Sequence, residues 1–228
     1  MKSLLLLSAS LFFISCKGGN EDKKSGDPNS NSESERTVSQ RKDLSASDII
    51  IETSMGTIEA KLHLDTAPIT TANFLSYLDK EHFDNTIFHR VISNFMIQGG
   101  GFDLKNEVAN EKKTGNGIQN ESARTKANTR GTLAMARTPD PNSATAQFFI
   151  SVGDNPNLDH PASGQGFGYA VFGEVTKGMD IIDKIKAVPV GTTYMNSLTP
   201  AGRLETGPHQ NVPVDPVIIK SIRRAPKS

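Results

Sequence analysis

Cysteine, tryptophan and long apolar runs are scarce in this sequence. The 228 residues include one cysteine, Cys16, and no tryptophan, and aromatic residues make up 6% of the total. A single cysteine excludes an internal disulfide, so the fold must be held by the packing of Ile, Val, Leu and Phe. No run reaches the roughly eighteen apolar residues that a membrane-spanning helix needs. The length has room for one good-sized domain and additional segments.

An excess of charge is also missing, because 25 Lys and Arg residues balance 25 Asp and Glu residues. No long basic run occurs, so nucleic acid is not expected as a partner. The five histidines are scattered without metal-ligand spacing, and we predict neither a metal nor a cofactor. Ser143 and Ser151 lack the flanking residues of a nucleophilic serine. Any activity should therefore come from a groove that acts through shape and hydrogen bonds.

The N-terminal segment 1–16 has the pattern of a bacterial lipoprotein signal peptide. Lys2 precedes an apolar run over residues 4–14, and the small residue Ser15 stands before Cys16. The run is too short to span a bilayer, and FISC resembles a lipobox, in which the cysteine becomes the lipidated first residue of the mature chain. The alternative is an ordinary secretory signal with a chance cysteine. The lipoprotein interpretation predicts an exported cell-envelope protein, anchored to the inner or outer membrane through Cys16.

Residues 17–46 are predicted to form a disordered tether. Ser, Asn, Gly, Lys and Glu dominate this segment, and large apolar residues are nearly absent. Such a composition buries too little apolar surface to offset the entropy of ordering. About thirty flexible residues would have an r.m.s. reach of roughly 30 Å, enough to hold a domain off a membrane surface.

The remaining residues, 47–228, have the pattern of a β-rich domain. IIIETSMGTIEAKLHL predicts a hairpin that turns at residues 54–56, with an inward face of alternating apolar residues: Ile58, Ala60, Leu62 and Leu64. DTAPITTANFLSYLDK predicts a helix capped by Asp65 or Thr66, with a buried face of Ala72, Leu75 and Leu78. GMDIIDKIK predicts a second amphipathic helix, with an apolar side of Met179, Ile182 and Ile185.

Further strands are predicted over residues 86–93, 95–98, 131–137, 148–152, 170–175 and 217–222. Residues 188–215 contain several Pro and Gly residues and are predicted to be a long loop. Many short strands with two helices favour a closed all-β barrel whose open ends the helices plug.

The stretch FHRVISNFMIQGG, residues 88–100, places Arg90 and Gln98 in an otherwise apolar, β-prone run. One interpretation puts both side chains on the solvent face of an edge strand. In the other, Met96 and Gln98 share one strand face by alternation, and a break at residues 93 and 94 brings Arg90 and Phe95 to the same groove.

Four motifs decide between these interpretations: FHRVISNFMIQGG, NTRGTLAMAR, SATAQFFISV and GYAVFGEVTKGMDIIDKI. In wording, order and spacing they resemble the cyclophilin family of peptidyl-prolyl cis/trans isomerases, its bacterial branch most closely, over residues 49–222. The resemblance implies an all-β fold, a closed eight-stranded antiparallel barrel capped by two α-helices. It also implies an isomerase that needs no cofactor and binds proline-containing polypeptides, and we expect a monomer.

The resemblance also assigns the residues of a site. Arg90 corresponds to the catalytic arginine, and Gln98 and Gln147 to the polar groups that hold the substrate backbone and orient the arginine. The residues that would receive the substrate proline and its neighbours are Phe95, Met96, Phe149 and Leu158 for the ring, Ala136 and the Arg137 backbone for the preceding residue, and Tyr169, where many relatives have histidine. Asn157 departs from the family, which has an aromatic residue there.

These residue types suit catalysis of amide rotation. Resonance sets a barrier of roughly 18–20 kcal/mol, and twisting the bond leaves a lone pair on the prolyl nitrogen. An arginine that donates to the twisted amide more strongly than to the planar one lowers that barrier. Two alternatives stay open at this point: a catalytically silent module that binds proline peptides, and a chaperone that uses its surface.

Overall fold

The structure is a computed structural model that describes residues 48–161 and 166–226. The predicted signal peptide 1–16 with Cys16, and the predicted tether 17–46, lie outside the described residues. All of the described residues therefore belong to the predicted β-rich domain, 47–228.

Eleven strands and two α-helices make up the domain. The strands are β1 Asp48–Thr53, β2 Gly56–Leu62, β3 Thr86–Ile92, β4 Met96–Lys105, β5 Val108–Glu111, β6 Thr132–Met135, β7 Phe148–Ser151, β8 Val171–Lys177, β9 Val190–Leu198, β10 Leu204–Pro213 and β11 Ile218–Arg224. The helices are α1 Pro68–Leu78 and α2 Met179–Lys186, and short 3₁₀ turns occur at Ser122–Arg124 and Pro156–Leu158. Neither helix of the described chain has the length and apolar character needed to cross a bilayer.

Eight of the strands close into a barrel. Their order is β4, β3, β11, β1, β2, β8, β6 and β7, and β7 pairs with β4 to complete the ring. All of these pairings are antiparallel. The eight-stranded barrel with two helices is confirmed.

The barrel core is apolar, and both helices contribute to it. Phe74 of α1 is fully buried, stacked at 4.8 Å on Phe83 and edge-on at 5.6 Å to Phe148. Ile182 and Ile185 of α2 are fully buried in the same cluster. Aromatic pairs in this geometry add about 0.5–1.5 kcal/mol each to the area that they bury, so a core without tryptophan is well anchored.

The start of α1 differs from the sequence prediction. Ala67 is the N-cap residue, and neither Asp65 nor Thr66 caps the helix. The cap comes instead from Glu121, whose carboxylate accepts hydrogen bonds from the backbone N–H groups of Ile69 and Thr70, at 3.2 and 2.8 Å. A carboxylate suits this place because the first turn of a helix leaves N–H groups unpaired.

Two buried faces also differ from the predictions. On α1 the predicted Leu75 and Leu78 are buried, but Ala72 is exposed and Phe74 is buried in addition. The alternation of β2 holds through Leu62, but the strand ends there, so His63 is buried and Leu64 is half-buried.

The largest difference between the sequence prediction and the structure lies in residues 188–215, which are predicted to form a loop. Residues in this range form β9 and β10, an antiparallel hairpin with Leu204 opposite Leu198. β9 meets the unpredicted strand β5 at Asn110 and Asn196, and β5 pairs with an extension of β4 beyond Gln98. The hairpin therefore continues the sheet outside the barrel, beside β5.

Candidate active site

Nine of the ten residues predicted for the site line one cavity, which we call the Arg90 cavity. They are Arg90, Phe95, Met96, Gln98, Ala136, Arg137, Phe149, Leu158 and Tyr169. The tenth, Gln147, lies beside it and contacts Gln98. The cavity is small, about 80 Å³, so it has room for a single compact group.

The wall of the Arg90 cavity is apolar and rigid. Met96 on β4 and Phe149 on β7 are 2% and 4% exposed and pack against the buried residues Ala134 and Val171. The Tyr169 ring stands edge-on to Phe149, with centroids 5.8 Å apart. Met96 and Phe149 are therefore both core residues and cavity residues.

Arg90 and Gln98 face each other across the β3–β4 pair. A β-turn joins these strands, with the Phe95 N–H donating to the Ile92 carbonyl at 2.9 Å, and this turn brings Phe95 to the cavity. Each of the two strands has neighbours on both sides. The interpretation that placed Arg90 and Gln98 on an edge strand is therefore wrong.

A chain of hydrogen bonds leads from Arg90 to the hairpin. The Arg90 guanidinium donates to Gln98 Oε1 at 3.5 Å, and Gln98 Nε2 donates to Gln147 Oε1 at 3.0 Å. Gln147 Nε2 donates to Glu111 Oε1 at 3.2 Å, and the backbone N–H of Leu198 donates to Glu111 Oε2 at 2.7 Å. A carboxylate can only accept hydrogen bonds, so Glu111 fixes the orientation of both amide side chains. In this orientation Gln98 Oε1 faces Arg90.

Arg137 fixes the opposite lip of the cavity through its side chain. Its guanidinium lies 4.5 Å from the centre of the Tyr169 ring. It also donates to the carbonyl oxygens of Gly168 and Phe167, at 3.2 and 2.7 Å. The arginine therefore holds Tyr169 at the cavity, a role that the sequence interpretation did not include.

Leu158 and Asn157 are neighbours with different positions. Leu158 lines the cavity from the turn Pro156–Leu158, whereas the Asn157 side chain is exposed. Asn155 ties this turn to the cavity, since its Nδ2 donates to the Phe95 carbonyl at 2.9 Å.

Behind Arg90 lies a second cavity of about 270 Å³, lined in part by His89, Ser197 and His209. His89 is 5% exposed, and its ring lies 4.7 Å from that of Phe102. Burial, and next the nearby His209, lower the pKa of His89 to about 3. No group of three His, Cys, Asp or Glu side chains within the described ranges is arranged to hold a metal ion.

Glu111, Asn155 and the hairpin are the parts of the site that sequence reasoning missed. TYMNSL and RLETGPHQ alternate on either side of TPAG, a short Pro- and Gly-containing turn, and this pattern could have predicted the hairpin. Glu111 carries no such signal, because its importance comes from meeting Gln147, 36 residues away.

Comparisons with known proteins agree with this geometry. The model of the family described as "Cyclophilin type peptidyl-prolyl cis-trans isomerase/CLD" matches residues 48–223. A peptidyl-prolyl cis-trans isomerase of Acinetobacter baylyi is 50% identical over 173 residues, 76% of this chain and 82% of that protein. Peptidyl-prolyl cis-trans isomerase B of Escherichia coli is 47% identical over 175 residues, 76% and 97% of the two chains.

A solved structure is similar as well. It is a cyclophilin-type isomerase of Cryptosporidium parvum in the presence of the dipeptide Ala-Pro, and it superposes with a TM-score of 0.59 at 25% identity. The match covers 79% of this chain and 99% of that one.

Proposed function

The chain belongs to the family of cyclophilin-type peptidyl-prolyl cis-trans isomerases, and on this premise we propose that it accelerates rotation about X-Pro bonds in the Arg90 cavity. The observation that carries the proposal is the position of Arg90. It stands at the lip of a small apolar cavity, held by Gln98 at 3.5 Å. A proline ring is a compact apolar group of the kind that this cavity accepts.

The roles of the residues follow from the chemistry of a twisted amide. Met96 and Phe149 hold the ring while the preceding carbonyl rotates. As resonance is lost, the prolyl nitrogen gains a free lone pair, and Arg90 donates to it or to the rotating oxygen. Such a donor stabilises the twisted amide most strongly where water is excluded. The apolar wall of the cavity excludes water from this position. No covalent step is involved.

Gln98, Gln147 and Glu111 act as positioning residues. An amide side chain has two orientations, and only one of them turns its oxygen toward the guanidinium of Arg90. Because Glu111 accepts from Gln147, it favours that orientation in both amides. The arginine is thereby held in place before substrate binds, so less reorganisation is needed during the reaction.

The test is turnover of a proline tetrapeptide by the purified protein. We expect the cis-to-trans rate to rise in proportion to protein at micromolar concentration. Tight binding of the peptide without acceleration would instead identify a silent binding module. Suppression of aggregation that survives blocking of the cavity with an Ala-Pro dipeptide would identify a surface chaperone.

We also propose that the enzyme works in the bacterial cell envelope, on exported polypeptides, as a lipoprotein anchored through Cys16. Support comes from the sequence alone: the apolar run 4–14 after Lys2, Ser15, and the single cysteine at the position that a lipobox requires. Stable anchoring needs more than one acyl chain, as a lipidated N-terminal cysteine provides.

Replacing this cysteine tests the anchor. Cys16→Ser should move the protein from the membrane fraction or leave its precursor unprocessed. Labelled palmitate incorporated equally by the wild type and the variant would show that Cys16 is not the lipidation site.

A further inference from the structure

The β9–β10 hairpin forms one side of a second, larger groove, which we call the hairpin groove. Its volume is about 630 Å³, against about 80 Å³ for the Arg90 cavity. It lies between the ends of β4 and β5 and the hairpin tip, and its lining residues are Asp103, Lys105, Asn110, Glu111, Lys112, Lys113, Leu198, Gly202, Arg203 and Leu204. A groove of this size takes several residues of an extended chain.

The hairpin groove and the Arg90 cavity are connected by shared lining residues of an intermediate cavity. This third cavity shares Gln98, Ala136 and Arg137 with the Arg90 cavity and Glu111 with the hairpin groove. A polypeptide with its proline in the Arg90 cavity would pass Gln98 and Glu111 to reach the hairpin groove.

The charged residues of the hairpin groove are mostly basic, and some of them form no salt bridge with the described carboxylates. Four of its lining residues are basic, namely Lys105, Lys112, Lys113 and Arg203, and two are acidic. Both acids are already engaged, because Asp103 pairs with Lys105 at 3.4 Å and Glu111 accepts from Gln147 and Leu198. Lys113 and Arg203 are exposed, and neither forms a salt bridge with any carboxylate of the described residues.

The hairpin tip that carries Arg203 is well ordered by its own hydrogen bonds. Gly202 N–H donates to the Thr199 carbonyl at 2.8 Å, and Thr199 N–H donates to the Arg203 carbonyl at 2.8 Å. Pro200 restricts the turn, and Gly202 has φ +72, which a side chain would disfavour. The Arg203 backbone is therefore held at the groove before any ligand arrives, which reduces the entropic cost of binding.

From these observations we propose that the hairpin groove is a subsite for acidic side chains that precede the proline in the substrate. The inference rests on the proposed function, in which the residue before the proline lies at Ala136 and Arg137. Phe102 of β4, which pairs with Glu111 of β5, and Lys105 at the end of β4 stand roughly 13 and 23 Å beyond Gln98, distances that an extended chain covers in about four to seven residues. Lys113 and Arg203 would pair with carboxylates at those positions, while Leu198 and Leu204 would contact the neighbouring aliphatic groups.

The test compares peptides that share one Ala-Ala-Pro-Phe segment and differ in the residues before it. One carries two Glu residues four and five positions before the proline, one carries two Gln residues and one two Lys residues, and a fourth is the bare tetrapeptide. We expect the purified full chain to give kcat/KM about threefold to tenfold higher for the Glu peptide than for the Gln peptide, through a lower KM. The preference should shrink as salt is added.

Charge reversal identifies the residues responsible. Lys113→Glu with Arg203→Glu should abolish the preference for Glu and create one for Lys, with the bare tetrapeptide turned over as before. The matched control is Lys61→Glu with Lys220→Glu, the same change of charge at two exposed lysines on β2 and β11 outside the groove. This control should keep the preference of the wild type.

Equal kcat/KM for the Glu and Gln peptides would overturn the subsite while leaving the isomerase in place. A fifth peptide carries the two Glu residues after the proline and should show no preference; a preference for this peptide alone would also overturn the subsite, because the substrate would then run in the other direction. Failure to turn over even the bare tetrapeptide would remove the proposed function, and the subsite with it.

Discussion

The Arg90 cavity and the hairpin groove adjoin the same strand, β4, but they differ in what surrounds them. The Arg90 cavity lies on the closed barrel, against side chains such as Met96 and Phe149 that are nearly inaccessible to solvent. The hairpin groove lies outside the barrel ring, between exposed basic side chains and the turn of a hairpin. Interactions in the first are strengthened by exclusion of water, whereas those in the second are weakened by water and salt.

The difference separates two tasks of one enzyme. A buried, rigid wall suits a step in which a small change of geometry alters the barrier. An exposed, charged groove suits weak selection among substrates, because each exposed ion pair contributes only about 0–1 kcal/mol. Glu111 serves both regions, since it accepts hydrogen bonds from Gln147 and from the Leu198 N–H.

The largest effect is expected from a variant that removes the function of the Arg90 cavity alone. Arg90→Ala should lower kcat/KM by at least about 100-fold, roughly 2.7 kcal/mol, because the donor to the twisted amide is lost. The thermal midpoint should change little, since Arg90 is half-buried and outside the core. Arg90→Lys retains the charge without the planar guanidinium, so its kcat/KM should lie between those of the wild type and of Arg90→Ala. A variant with more than half of the wild-type kcat/KM would show that Arg90 is not the catalytic donor.

An effect of comparable size, on stability rather than activity, is expected from acid on the hairpin side. The pKa of His89 is lowered to about 3 by burial, whereas an unfolded histidine has a pKa of about 6.5. As the pH falls below 6.5, His89 binds a proton in the unfolded chain but stays neutral in the folded chain, so the free energy of unfolding decreases. The loss is up to about 1.4 kcal/mol per pH unit, roughly 3 kcal/mol by pH 4.

Urea unfolding at a series of pH values measures this slope. His89→Leu cannot titrate and should be less sensitive to pH between 6.5 and 4. His89→Asn, also unable to titrate, should show the same reduced slope at a lower overall stability. Slopes equal to that of the wild type would mean that His89 does not cause the acid sensitivity.

A smaller effect is expected where the two regions meet. Glu111→Gln retains the shape of the side chain, but Gln147 and Leu198 donate to different oxygens of Glu111, so one of the two donors would face an NH2 group that cannot accept. We expect kcat/KM for a short tetrapeptide to fall about fivefold to tenfold. Glu107→Gln makes the same charge change at an exposed residue of the β4–β5 turn and serves as the control. Identical kinetics in the two variants would rule out a positioning role for Glu111.

The smallest effect is predicted for a substitution that adds a single methyl group. In Gly101→Ala the new Cβ would lie 2.5 Å from Gln147 Cδ, so the amide must move away from Gln98. Since Gln147 has a flexible side chain, we expect stability to be nearly unchanged and kcat/KM to fall about threefold. Gly207→Ala, in open space on β10, should leave kcat/KM unchanged. A Gly101→Ala enzyme as active as this control would show that the orientation of Gln147 does not limit the rate.

The sequence was informative where pattern and structure share a local cause. The alternation of β2 and the apolar face of α2 predicted buried residues such as Ile58 and Ile182, which are fully buried. The Arg90 cavity was predictable through its motifs, since Arg90 to Gln98 is one continuous segment folded into two paired strands. Their roles in catalysis stay predictions until the variants above are measured.

Other features depend on contacts between residues that are distant in sequence. Glu121 caps α1 from 51 residues away, and no local pattern distinguishes it from a surface acid. The hairpin resembles a loop in sequence because its Gly and Pro residues outweigh its weak alternation. The alternation is weak because these strands have little core to cover, so that Tyr194 and Leu204 are exposed.

The position of β10 at the end of the strand order has a consequence for an enzyme that handles extended chains. A strand with a neighbour on one side only offers its free backbone groups to any passing polypeptide, and pairing of this kind begins aggregation. β10 contains Pro208 and Pro213, neither of which has an N–H group to offer. The hairpin can thus place Arg203 beside a client polypeptide while its outer strand resists incorporating that client as a further strand of the sheet.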